Sequence, residues 1–254
     1  MTAFTVVIMT KNEATTISGC IESCRAFFQS VIIADTGSTD NTVAIAEANG
    51  AIVYKVKWEG YGKTRNTIAN LCKTDWILVI DADEKPTPML INSILNLSQN
   101  ILAKNPRIVY GFKRMSFLGK KPIHFGEWGR DRVYRLYNKK FHQWDDVLVH
   151  ENIIATNNER KILKGILWHH TMKNVEQLIE KQKKYALLSA EKYFISNKKV
   201  GIIKLYLAPF FSFIQNYLFR LGFLDGEEGF IIAKYNMLYV YWKYKALKQK
   251  YLQH

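Results

Sequence analysis

The chain has 254 residues, 48% of them apolar and 23% charged, so it can bury a core and is too apolar to be a disordered chain. Gly 14, Pro 5 and Cys 3 exclude collagen-like and disulfide-scaffold classes, and Cys20, Cys24 and Cys72 have neither the number nor the spacing of a zinc site, which suits a reducing compartment. Lys+Arg 36 against Asp+Glu 22 leaves +14, an excess that points to an anionic partner: nucleotide, nucleic acid, phosphorylated glycan or membrane surface.

In chain order, the apolar run Phe4–Thr10 predicts a strand; it is too short and lacks the basic flank of a secretory signal. A helix follows over about 14–27, a strand at Val31–Asp35, a helix over 40–49 that stops at Gly50, and a strand over 51–56. Residues 62–72 read as helix, Trp76–Asp81 as a continuously apolar strand, and 88–103 as helix. Near-continuous apolar strands separated by helices predict an α/β fold with a mostly parallel sheet covered on both faces. After Pro106 the texture changes: 109–115, 132–137 and 146–154 pair aromatics with charges and predict a small antiparallel extension. Three helices are expected at about 174–195, 202–221 and 227–248. The composition shift near 171 divides the chain into an α/β domain over 1–170 and a helical appendage over 171–254, which carries net +8 against +6 for the longer part. The most apolar stretch, 202–224, is interrupted by Lys204, Pro209, Gln215, Asn216 and Arg220, so no transmembrane span is expected. The reading is a cytoplasmic protein, or one resting on the cytoplasmic face of a membrane.

Ligands of an open parallel sheet bind beyond the carboxyl ends of its strands. Three polar clusters stand at such ends: Thr10 to Glu13, Asp35 to Asp40, and Asp81 to Glu84. Asp81 and Asp83, one residue apart after a buried strand, are suited to a hard divalent cation that also takes substrate phosphates; the alternative is a turn that uses Asp for local hydrogen bonds. Ser38, Thr39 and Asp40 are better read as a helix cap, whereas Asp35 can accept from a base or ribose hydroxyl. Lys63 and Arg65 fit ordinary solvated helix charges as well as a ligand site.

The segments TKNEATTISGCIES, VIIADTGSTDNTVAIAE, WEGYGKTRN and DWILVIDADE resemble a family 2 glycosyltransferase of the GT-A fold. Taken with VHE and GFLDGEEGF, they are similar to the lipopolysaccharide-core glucosyltransferases that add β-1,4-linked glucose to inner-core heptose. The resemblance implies a Rossmann-like GT-A domain over 1–170 that binds a UDP-sugar and transfers a hexose, glucose in those relatives, to a glycolipid. It implies that Thr10, Asn12, Glu13 and Asp35 line the uridine pocket and that Arg65 and Asn66 lie near the donor. Asp81, with Ala82 beside it, would touch ribose or metal, and Asp83 would hold Mn²⁺ or Mg²⁺. A late histidine completes the metal site in such enzymes, and His169 matches that position better than His170; a buried structural histidine is the alternative.

Inverting transfer needs one general base for the acceptor hydroxyl and charge stabilisation for the departing diphosphate. Two residues offer themselves as the base: Glu151 after a short apolar run, and Asp131 between Arg130 and Arg132, which weaken it in that role. Glu151 is the better candidate; for either, a structural ion pair is the alternative. Arg130, Arg132 and Arg135, with Lys113, Arg114, Lys120 and Lys121, suit a phosphorylated glycolipid acceptor or a solvated basic face. In the last third, Phe210, Phe211, Phe213, Tyr217, Phe219 and Phe223 with Lys204 and Arg220, followed by Lys243, Lys245, Lys248 and Lys250 beside Tyr241, Trp242 and Tyr244, suggest peripheral contact with an anionic membrane; packing on the core or in a dimer is the alternative. A nucleotidyltransferase would carry a Gly-rich loop after the first strand, where this chain has Thr10-Lys11-Asn12-Glu13. Nucleic-acid binding would need one of the motifs that recognise RNA or DNA, and none is evident, so no nucleic-acid partner is expected.

Overall fold

β-Branched and aliphatic runs bounded by polar turns set the first half of the chain. The computed structural model describes residues 4–28, 30–97, 99–146 and 151–253. It has β1 (Phe4–Thr10), α1 (Ile17–Arg25), β2 (Val31–Asp35), α2 (Thr42–Ala48), β3 (Ile52–Lys55), α3 (Tyr61–Leu71) and β4 (Trp76–Asp81). Next come β5 (Glu84–Pro86), α4 (Pro88–Leu95), α5 (Gln99–Lys104), β6 (Val109–Leu118), β7 (Lys121–Pro122), β8 (Arg132–Asn138) and β9 (Arg160–Met172). The helices α6 (Val175–Ile195), α7 (Ile202–Ile214) and α8 (Gly226–Gln253) end the chain. Two compact units result: Met1–Arg114 with Arg132–His169, and Met115–Asp131 with His170–His254. Residues 115–131, which the sequence reading puts with the α/β domain, thus cluster with the C-terminal helices.

In the first unit, β1 pairs in parallel with β2 and β4, and β2 with β3. The sheet order β3-β2-β1-β4 continues through the antiparallel strands β8, β6, β9 and β5, so the expected α/β architecture with an antiparallel extension is present. Alternation along the strands feeds two layers. Val6, Ile8, Ile33, Leu78 and Ile80 pack with α1, α2, α4 and α5. Val7, Met9, Ile32, Ala34, Ile77 and Val79 pack with Ile68 and Ala69 of α3 and with Trp144 and Ile153. Each fully buried aliphatic or aromatic side chain contributes about 1.5–3 kcal/mol, so both layers must be filled for the sheet to hold its edge rigid.

In the second unit, α8 packs against both α6 and α7, and Leu118, Ile123, Met172, Leu178 and Ile232 form its core. The GFLDGEEGF segment works here as a backbone clamp. Asp225 is buried and accepts from the Phe125 N–H at 2.8 Å and the His124 N–H at 3.1 Å. A Cβ on Gly229 would lie 1.9 Å from the Gly222 carbonyl oxygen, so only glycine permits that approach.

Four expectations are corrected. The helix predicted over 88–103 is two helices, α4 and α5. The strand predicted over 146–154 falls partly on 147–150, outside the described residues; of the rest, Ile153 forms only an isolated bridge to Trp144. β9 is a long strand that the sequence reading does not contain. The helix predicted over 202–221 gives way to a π-helical turn at Gln215–Phe219. Within the described residues, Ile202–Phe219 is long and apolar enough to cross a membrane by length and composition.

Candidate active site

The parallel register brings the polar strand ends together. Thr10 stands opposite Asp35, and Met9 opposite Asp81, so the clusters after β1, β2 and β4 share the carboxyl edge where the strand order reverses. Asn12 has a left-handed backbone (φ 56°) and joins two loops: its N–H donates to Ser38 Oγ at 2.9 Å, and its Oδ1 accepts from the Thr39 N–H at 2.8 Å. Asp35 accepts from the Gly37 and Ser38 N–H groups and from the Ser38 hydroxyl, which makes its loop rigid. Asp40 accepts from the backbone and hydroxyl of Thr42 in a local turn, while Asn41 is the N-cap of α2 and makes no side-chain cap bond, so the capping expected of Ser38–Asp40 is not what the helix uses. The Glu13 N–H donates to Thr42 Oγ1, and its carboxylate accepts from Thr16. Thr10 Oγ1 is buried without a hydrogen-bond partner. A cavity of ≈ 620 Å³ opens here, lined by Asp35, Gly37, Ser38, Lys55, Lys57 and Trp58. The sequence reading gave Lys55, Lys57 and Trp58 no role, although the alternation Lys55-Val56-Lys57 at a strand end could have singled them out.

The motif WEGYGKTRN places three residues on one side of α3. Gly60 turns the chain with φ 95°. A Cβ on Gly62 would lie 1.8 Å from the Asp145 carbonyl oxygen, so glycine lets the 144–145 backbone lie against the helix. Asn66 clamps the Trp144 backbone twice, donating to its carbonyl and accepting from its N–H, both at 2.9 Å. Arg65, fully buried, stacks under Trp144 (4.5 Å to the ring centre) and donates to Asp81 Oδ1 at 3.0 Å and to Glu151 Oε1. Arg135 of β8 donates to the other Asp81 oxygen at 2.9 Å. Behind them, buried Glu84 accepts from the Asp81 N–H at 2.9 Å and from Arg114 at 3.2 Å.

The charges balance by proximity. Burial alone would raise the Asp81 pKa; Arg135 and Arg65 outweigh it and hold the carboxyl well below the usual carboxylate range. Burial raises Glu84, and the Asp81 charge raises it further. Burial opposes the Arg65 charge, yet Asp81 and Glu151 raise its pKa above the ordinary value. Arg65 Nε and Arg135 Nη1 remain buried without partners. Of the basic cluster seen in sequence, Arg114 and Arg135 therefore belong to this acidic centre, while Arg132 is exposed.

Asp83 has a different partner from Asp81. Its Oδ2 lies 3.2 Å from Nε2 of His169, which β9 sets opposite Glu84 of β5. Alternation along β9 sends His170 elsewhere, onto the ring of Phe117. Neighbouring ligands about 2.1 Å from an octahedral ion stand about 3 Å apart, so one carboxylate oxygen and one imidazole nitrogen at this spacing fit a divalent cation. Among the described residues no group of three His, Cys, Asp or Glu side chains is placed to hold a metal, so the chain offers this pair, and a diphosphate would supply further oxygens. Both Asp81 oxygens are taken by arginines, which sets Asp81 apart from that pair. Ala82 is buried between the two. Glu151 retains 15% of its side-chain exposure beside Arg65. Asp131 follows the turn Trp128–Arg130 and belongs to the second unit. His150 lies outside the described residues.

A family model described as glycosyl transferase family 2 matches residues 5–156. The chain is similar to an uncharacterised glycosyltransferase of Rickettsia felis, 30% identical over 244 residues, covering 91% of this chain and 84% of that one. It is also similar to the lipopolysaccharide core biosynthesis glycosyltransferase LpsC of Rhizobium meliloti, 28% identical over 248 residues, covering 92% of this chain and 87% of that one. Among solved structures, glucosyl-3-phosphoglycerate synthase from Mycobacterium tuberculosis with Mn²⁺ and UDP-glucose aligns with 24% identity and a TM-score of 0.37, over 45% of this chain and 43% of that one, less than half of either.

Proposed function

The chain belongs to glycosyl transferase family 2, and we propose that it is an inverting hexosyltransferase that moves a sugar from a UDP-sugar to a lipopolysaccharide-core heptose or similar glycolipid. Glucose is the sugar that its motifs favour, and the likeness to LpsC over most of both chains supports the acceptor class. The observation that carries the reading is the pair of acidic centres side by side at the strand-four end: Asp81 and Glu151 joined through Arg65, and Asp83 beside His169.

The donor nucleoside fits the cavity under Asp35, with Thr10, Asn12 and Glu13 fixing the loop and Trp58 offering an aromatic face. Asp83 and His169 would hold Mn²⁺ or Mg²⁺, which offsets the charge of the departing diphosphate. Glu151, whose Oε1 is held by Arg65, is the base through its other carboxylate oxygen, which takes the proton from the acceptor hydroxyl as the hydroxyl oxygen attacks the anomeric carbon and the bond from that carbon to the UDP oxygen breaks. Arg65 orients Glu151 and Asp81 together, so base and donor contact share one positioning group. A glycolipid acceptor places the enzyme at the cytoplasmic face of a membrane.

The test is UDP release from a panel of UDP-sugars, with and without a delipidated inner-core acceptor, in Mn²⁺, Mg²⁺ or EDTA. Acceptor-dependent release that needs the cation is expected. Undiminished release in EDTA, or no release from any UDP-sugar, would overturn the reading.

A further inference from the structure

The second unit carries an apolar face that turns outward. Along α7 and the turn that follows it, Ile203, Tyr206, Leu207, Phe210, Phe211 and Leu218 recur at helical spacing and are exposed, Ile203 to 75% and Phe210 to 60%. Phe219, at 71%, Phe223 and Leu224 extend the patch. The opposite side of the same helix holds the buried Leu205, Pro209 and Asn216 and packs on α8. Only 17% of Ile202–Phe219 is buried, which a core helix would not tolerate.

Charge says what covers it. No Asp or Glu occurs between Glu191 and Asp225, while exposed Lys198, Lys199 and Lys204 flank the patch. An isologous dimer would set these cations against their own copies. A membrane crossing is excluded by α8, which lies along α7 and carries Glu227, Glu228, Lys234 and Lys243. An apolar stripe with a cationic, acid-free border is suited to lying in the plane of an anionic lipid surface.

We propose that α7 and the 215–224 turn form a monotopic anchor that buries Ile203, Leu207, Phe210, Phe211 and Phe219 in the headgroup boundary of an anionic phospholipid bilayer. This narrows to α7 and its following turn the membrane contact that the sequence reading spreads over about 202–248. Lys243 is enclosed by the rings of Tyr244, Tyr239 and Tyr193 at 4.7, 5.2 and 5.3 Å, and Lys250 pairs with Glu191. The anchor serves the proposed glycolipid acceptor, but its test reads lipid partitioning alone, so it stands or falls separately from sugar transfer.

The whole chain is sedimented with vesicles of phosphatidylethanolamine and phosphatidylglycerol. Wild type should pellet with them, and Ile203→Glu/Phe210→Glu should weaken partitioning about tenfold or more at unchanged circular dichroism, whereas Lys245→Gln/Lys248→Gln should leave it near wild type. The chain has six tryptophans, none within 202–224, so insertion is read as the difference between Phe210→Trp and wild type: the added emission should lie to the blue and be quenched by brominated lipid. Wild type that stays in the supernatant, or added Phe210→Trp emission untouched by brominated lipid, overturns the proposal. A dimer that the double glutamate variant dissociates, with no vesicle binding, would give the face to a second copy instead.

Discussion

Asp81 carries the electrostatics of the site, because one carboxylate sits between two buried guanidinium groups. Breaking a buried pair by removing one partner costs about 3–5 kcal/mol, more than replacing the whole pair would. Because the folded pKa of Asp81 lies below its unfolded value of about 3.9, its contribution to stability is present above that value and is lost as pH falls toward the folded one. Arg135→Met should raise the folded pKa, lower neutral-pH stability by about 3–5 kcal/mol, and bring acid unfolding to higher pH. Urea denaturation from neutral to acid pH measures this; unchanged stability and an unchanged acid limb would refute the balance described. Asp83 is a different case, since it pairs with His169. Asp83→Asn should keep the fold and lose both cation-dependent UDP binding, read by calorimetry, and transfer; wild-type turnover in this variant would remove Asp83 from the metal role.

At the scale of elements, α3 is the frame that holds the 144–145 segment and Glu151 in place. Gly62, Arg65 and Asn66 are three and four residues apart, so they share one side of the helix and meet that segment together. Gly62→Ala must push the Asp145 carbonyl away, and Asp145 is tied through its side chain to the Asn152 N–H, next to Glu151. Turnover should drop at least about tenfold while UDP affinity changes less, because the displaced element neighbours the proposed base and not the proposed donor pocket; equal losses in both would place the whole helix in donor binding. Much of this was legible: Arg65, Asp81, Asp83, Glu151 and His169 are all sequence-stated candidates that now share one unit. The roles of Glu84 and Arg135 were not seen. Arg135 is the extra residue at a bulge in the β6–β8 pairing, so Val133 packs in one layer and Tyr137 in the other; the alternation of β8 could not give its inward direction, and its charge suggested a solvent-facing phosphate contact. β9 escaped for a physical reason. Lys161, Lys164 and Gly165 break its apolar run, and Gly165 is there because a Cβ would lie 2.3 Å from the Leu90 nitrogen, a contact that exists only after α4 has folded beside it.

At the scale of the molecule, the +14 charge divides into two purposes. In the first unit, Arg65, Arg114 and Arg135 are buried or half-buried partners of carboxylates, so their charge serves the site and not the surface. In the second, the lysines border an apolar face, and a count of charges along the chain cannot tell these uses apart. GFLDGEEGF, which in the sequence carries family resemblance without a role, is explained by Asp225 and the two close glycines as a packing motif. The two candidate bases also divide between the units, Glu151 in the first and Asp131 in the second. The central claim, that the first unit contains the complete reacting centre, is therefore tested most directly by single-turnover UDP release from Glu151→Gln and Asp131→Asn. Glu151→Gln should bind the UDP-sugar as wild type does and react slower by about 10² or more, with Asp131→Asn near wild type. Wild-type turnover in Glu151→Gln with Asp131→Asn inactive would contradict it.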